Sequence, residues 1–166
     1  MKNQRVQLTF FAVALVFAAA SALCGIAAFF FVVPRAAMLA FIIPTAVLCV
    51  IAAVSAVKNR GAYNKKILQY VDIALFFLLA AVVLWAGINH FLFADVIAGG
   101  SAVSLPDGYH LVSRGEIVAN ITKAQFIEIS LAEIKLIMSE CAAFSFIAAF
   151  LIKISANYLK RSGSPV

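Results

Sequence analysis

Charged residues are absent from long runs of this chain, and those gaps constrain its fold more than any motif does. No Asp, Glu, Lys or Arg lies between Arg5 and Arg35, from Ala36 to Val57, or from Ile73 to Ala94, and a shorter gap runs from Cys141 to Ile152. About 20 apolar helical residues cross the hydrocarbon core of a bilayer, and a helix satisfies its own backbone hydrogen bonds there. The pattern predicts an all-α membrane protein, a four-helix transmembrane bundle with spans over about 6–33, 36–57, 67–93 and 134–158. Four spans and one modest loop use nearly all 166 residues. Any chemistry must therefore sit in the bundle, at its mouth or on the loop. Small residues at Ala18 to Ala22 resemble a signal cleavage site, but the apolar run continues to Val33, longer than a signal core, so an uncleaved span is expected.

The formal charge of +6 is distributed by topology. Lys2 and Arg5 precede the first span, Lys58, Arg60, Lys65 and Lys66 separate the second from the third, and Lys153, Lys160 and Arg161 end the last. With four crossings all of these share one side. Basic flanks stay cytoplasmic, which places both termini inside, and Lys58, Arg60, Lys65 and Lys66 form a rim suited to anionic lipid headgroups. That arrangement points to a lipid bilayer rather than to nucleic acid. The opposite side carries Asp95, Asp107, Glu116, Glu128 and Glu133 against Arg35, Arg114, Lys123 and Lys135. Cys24, Cys49 and Cys141 contain no Cys-x-x-Cys pair and read as small hydrophobes.

Along the chain, Pro34-Arg35 reads as a tight turn and Pro44 as a kink in the second span. Tyr70 and Trp85 are expected near opposite ends of the third, at the interfaces. Residues 94–133 form an extracytoplasmic cap. Within it Gly99-Gly100-Ser101 reads as flexible and Pro106-Asp107-Gly108 as a turn. Tyr109 to Ser113 and Glu116 to Ile121 read as a β-hairpin joined by Arg114-Gly115. Thr122-Lys123-Ala124-Gln125 fits a capping box. The helix it opens should run to about Tyr158, roughly 54 Å at 1.5 Å per residue, well beyond the bilayer. Ile127, Leu131, Ile134 and Met138 make a stripe at helical spacing, expected to pack on the hairpin. The tail from 162 to 166 reads as disordered.

Few polar groups lie near the spans. Glu140, about a turn inside the last one, is the first candidate for handling an ion or proton, because intramembrane carboxylates are costly and face protein or water. Glu133, seven residues earlier, shares its helix face about 10 Å away. His90 closes the third span, which rises as the fourth descends, so His90 and Glu140 reach similar depth. Asp95, Glu133 and Arg35 would complete an outer polar pocket. His90, His110 and nearby carboxylates have no diagnostic ligand spacing, and neither a metal nor a cofactor is expected. Asp72 suits the N-terminus of the third helix. There is no Gly-rich phosphate cradle, His-Glu-x-x-His pair or Gly-x-Ser-x-Gly elbow.

Tyr109 to Glu116, then Ile121-Thr122 and a long helix carrying Glu133-Ile134-Lys135, resembles a pattern in small, uncharacterised four-span bacterial inner-membrane proteins. The resemblance covers roughly the last third of the chain and implies a bacterial inner membrane without a mechanism. The expected function is non-enzymatic: an accessory, sensor or immunity-type protein whose cap binds a protein partner through Tyr109, Leu111, Arg114 and Ile117. The alternative is a small oligomeric transporter or channel using Glu140. A lipid-modifying enzyme ranks third.

Overall fold

The computed structural model describes residues 2–28, 35–60, 71–97 and 100–162. Its elements run α1 (Lys2–Ala27), α2 (Arg35–Lys58), α3 (Ile73–Ile97), β1 (Ser101–Leu105), β2 (Gly108–Ser113), β3 (Glu116–Ile121) and α4 (Lys123–Ser162). All four helices are long and apolar enough to cross a membrane. By length and composition this is a multi-pass membrane protein.

The helices do not share the core equally. Of the most apolar window in each helix, 61% is buried in α4, 22% in α1 and in α2, and 6% in α3. Helix α4 is thus a central post around which the other three stand. What lets them approach is side-chain size. On α1 the buried positions are Ala14, Ala18, Ser21 and Gly25, continued by Ala28 just past its end, one small residue on each turn of one face. They meet an α4 whose own buried positions include Ser139, Ala142, Ser145, Ala148 and Ala149. In an apolar solvent, helix association rests on close van der Waals contact, and small residues allow it. Larger side chains close the two ends of the core. Ala28, Met38, Ile134 and Met138 cluster near the sheet, and Leu48, Ala52 and Ile152 pack with Ala14 toward the other end.

Buried hydroxyls tie the helices together. Thr45 and Ser145 share a hydrogen bond of 3.0 Å between α2 and α4. The Gln7 amide donates to Ser55 Oγ at 2.9 Å, joining the start of α1 to the end of α2. Helix α3 is held more lightly. Only Ala86 and Asn89 are buried on it, Trp85 lies across Gly25 of α1, and Phe76 meets Phe150 of α4 with ring centroids 6.4 Å apart. Among the described residues α2 and α3 do not pack together along their length, which leaves one side of α4 uncovered between them.

Local chemistry sets the helix starts. Asp72 Oδ1 accepts from the backbone N–H of Ala74 at 3.1 Å, an N-cap that gives it the structural role expected of it. Thr122 and Gln125 form the expected capping box: the Gln125 N–H donates to Thr122 Oγ1 at 3.2 Å and the Thr122 N–H donates to Gln125 Oε1 at 2.9 Å.

Five expectations need correction. The chain is mostly helical, as expected, but its cap is not a lone hairpin: it is a three-stranded antiparallel sheet in the order β1-β2-β3. Ser101, expected to be flexible, opens β1. Gly100 is pinned beside it, with φ +125° and its α-carbon so close to the Val112 carbonyl that a β-carbon would collide. The Ile127-to-Met138 stripe divides. Ile134 and Met138 are buried against α1 and α2 rather than against the sheet, while Phe126 meets the sheet through Tyr109 at 4.8 Å between centroids. Trp85 lies midway along α3 rather than near its end. Finally, α4 runs four residues past Tyr158, and Ser162 is its last residue rather than the first of a disordered tail. The expected Pro34 turn, the loop lysines Lys65 and Lys66, Tyr70 and residues 163–166 lie outside the described residues.

Candidate functional site

Two places gather the polar residues singled out from the sequence. The first is the sheet. A two-residue turn at Arg114-Gly115 joins β2 to β3, with φ +51° and +87°. Positive φ at both central positions gives a turn whose twist matches that of antiparallel strands. Pairing then runs Tyr109 to Ile121, His110 to Asn120 and Leu111 to Ala119, but Val112 pairs with Ile117. Val118 is therefore an extra residue, a β-bulge.

His110 fastens β3 in place. It is buried, its Nδ1 lies 2.8 Å from Asn120 Oδ1 and its Nε2 lies 3.0 Å from Asp107 Oδ1. The ring thus bridges the β1–β2 turn and the third strand. The bond from His110, aided by a backbone N–H, holds the Asp107 carboxyl below its ordinary range. Ala102 is fully buried, and Ser101 Oγ donates to Glu133 Oε1 of α4 at 3.2 Å. These contacts attach β1 and β2 to α4. Strand β3 stands away from the helix with five of its six residues exposed.

Of the four partner-binding candidates, the sheet exposes two. Ile117 is 54% exposed and Arg114 sits on the turn. Tyr109 and Leu111 are half-buried, and the Tyr109 ring is occupied by Phe126. Val118, equally exposed at 54%, joins Ile117. A sequence reading misses it because the bulge that exposes it has no local signature. Strand β1 is missed for a different reason, although a short run before Pro106-Asp107-Gly108, with the β2 run after it, is a usable signal.

The second place is the contact of α3 with α4. His90 Nδ1 and Glu140 Oε1 lie 3.2 Å apart, so the two residues placed at similar depth from the sequence do meet. Their side chains remain 57% and 40% exposed. The pair does not face the packed interior. Glu140 borders two shallow grooves, one between α2 and α4 lined by Ile42, Thr45 and Cys49, the other between α3 and α4 lined by Val83, Gly87 and Ile147. Glu133 turns instead to Ser101, and Lys135 Nζ lies 5.0 Å above the Phe93 ring. Of the outer polar pocket expected from His90, Glu140, Glu133, Asp95 and Arg35, the structure describes the His90–Glu140 pair and the Ser101–Glu133 bond, and the Arg35 side chain lies outside the described residues. His90 and His110 are engaged by different partners, and among the described residues no three His, Cys, Asp or Glu side chains group to hold a metal ion.

Three basic residues, Lys58, Arg60 and Lys153, lie at the end of the bundle away from the sheet. Lys58 ends α2 beside Gln7 and Ser55, Arg60 follows it, and Lys153 Nζ sits 4.8 Å above the Phe11 ring of α1. Compared with family models, with curated proteins and with solved structures, the chain matches none.

Proposed function

We propose that this chain is a non-enzymatic protein of a bacterial inner membrane, of accessory, sensor or immunity type, that binds a protein partner through its sheet. The charge pattern supports the orientation. Lys58, Arg60 and Lys153 lie at the end opposite the sheet, and basic flanks stay cytoplasmic. Both termini then lie in the cytoplasm, the sheet faces outward, and Lys58, Arg60, Lys65 and Lys66 meet lipid headgroups.

The observation that carries the reading is the outer edge of the sheet. Among the described residues strand β3 pairs with β2 on one side only, and it presents Ile117 and Val118 as adjoining exposed apolar side chains. An unpaired strand edge is a template for another strand, with backbone hydrogen bonds giving affinity and side chains giving specificity. Arg114 on the adjoining turn adds a charge that orients the partner.

The test is crosslinking from a photoreactive residue at Arg114, in native membranes, with and without Ile117→Lys and Val118→Lys. Both positions are exposed, so the double variant keeps its fold, which circular dichroism checks. Loss of the crosslinked partner is the expected result. Retention of every partner by a folded double variant overturns the reading. The transporter or channel reading has the His90–Glu140 pair in its favour, but the grooves at Glu140 are lined mostly by apolar groups and open sideways. Liposome flux sensitive to Glu140→Gln would favour it.

A further inference from the structure

Exposed apolar side chains say nothing about partners in a helix surrounded by lipid, because lipid tails cover them equally well. Exposed polar groups do, because they are costly there. The side of α4 left open between α2 and α3 carries such groups. Ile137, Glu140, Phe144 and Ile147 recur along it at helical spacing and line the two flanking grooves. Phe144 is the single exposed residue of α4 between Ile129 and Leu159. Beside it stands the His90–Glu140 pair, which uses one ring nitrogen and one carboxylate oxygen. Across the groove Gly87 faces open space, and among the described residues no atom outside its own helix backbone lies within 4 Å of where its β-carbon would be.

We infer that this open side is the interface of a two-fold symmetric dimer in the membrane, occupied by a second copy of the same chain. The occupant is set by complementarity. A two-fold interface requires each surface to be its own complement, and this one is so in two respects. It holds a donor and an acceptor, so His90 Nε2 of each copy can donate to Glu140 Oε2 of the other. Four hydrogen bonds then close a ring and remove both pairs from lipid. It also holds a knob and a hole. Phe144 projects by 53% of its surface, and the groove over Gly87 has the room that a glycine gives a neighbouring helix. The dimer would clamp α3, the least buried of the four helices. This inference depends on the helices crossing a bilayer and not on what the sheet binds.

The experiment measures subunit number by single-molecule photobleaching of the full chain in lipid bilayers, at several protein-to-lipid ratios. Three proteins are compared: wild type, Gly87→Leu, and His90→Leu with Glu140→Leu. Among the described residues nothing outside the helix backbone lies within 4 Å of a β-carbon at position 87, so Gly87→Leu should leave the monomer folded, which thermal melting verifies. Two-step bleaching is expected for wild type, and each variant should need at least tenfold more protein per lipid to dimerise. In a background without Cys24, Cys49 and Cys141, a cysteine at position 144 of one copy should crosslink to a cysteine at position 87 of the other under mild oxidation. A wild-type monomer at every ratio, or a dimer indifferent to both variants, overturns the inference. So does finding the helix of another protein on this surface in native membranes.

Discussion

The ring of Trp85 lies so close across Gly25 that a β-carbon there would stand 3.1 Å from its Cη2, with Met138 Cβ at 3.4 Å on the other side. Helix α1 thus reaches α3 and α4 through the absence of a side chain. Gly25→Leu should force the three helices apart and cost about 1–3 kcal/mol, as overpacking does. Trp85→Ala in the same chain should recover part of that loss, since neighbouring substitutions are not additive. Reversible unfolding in mixed micelles measures both.

Thr45 and Ser145 are buried and joined across α2 and α4. Thr45→Val and Ser145→Ala each break that bond. Each should destabilise by about 1 kcal/mol, and the double variant by less than the sum, with a coupling of about 0.5–1.5 kcal/mol. A double-mutant cycle on unfolding free energies gives the value.

The sheet should be sensitive to acid through Asp107. Its carboxyl is held low in the folded protein by His110. A group whose folded value lies below the unfolded one, about 3.9 for Asp, adds stability that is present above the unfolded value and lost as pH falls through the folded one. Protection of the amides across β2 and β3, taken relative to their intrinsic exchange rate at each pH, should therefore fall below about pH 4, and Asp107→Asn should flatten that acid limb. His110→Ala should loosen β3 at neutral pH while leaving exchange in α1 and α4 unchanged.

At the turn, Arg114 holds a left-handed conformation that costs a non-glycine residue about 1 kcal/mol. Arg114→Gly should relieve about that much strain, and Gly115→Ala should add about as much, because its φ is +87° while the space around it is open. Thermal melting of the sheet, followed by amide exchange at β2 and β3, should move in opposite directions for the two.

The helices were legible because a charge-free run of some twenty residues has few other uses, and the capping box and Arg114-Gly115 turn because each depends on side chains within four positions. The meeting of His90 with Glu140 followed from counting turns on antiparallel spans. What the sequence concealed was arrangement. Helices apolar on every side do not announce which face is inside. The signal was present along α1 as Ala14, Ala18, Ser21 and Gly25, with Ala28 just beyond, a stripe marked by size rather than polarity. Strand β1 was hidden because Ser-Ala-Val-Ser-Leu has little alternation of its own and is ordered by pairing with β2 and by the seat of Ala102. Ile134 and Met138 were placed on the wrong neighbour because a periodic stripe shows that a face is buried without showing by what.

The most direct test is accessibility on the two sides of the membrane. In a chain with Cys24, Cys49 and Cys141 replaced by Ala, single cysteines at Glu116, in β3, and at Ala62, between Arg60 and Lys65, are exposed to an impermeant maleimide in intact cells. Labelling at 116 from outside, with 62 reached only after permeabilisation, is the expected result. Labelling of both positions from the same side would contradict four crossings with an outward sheet.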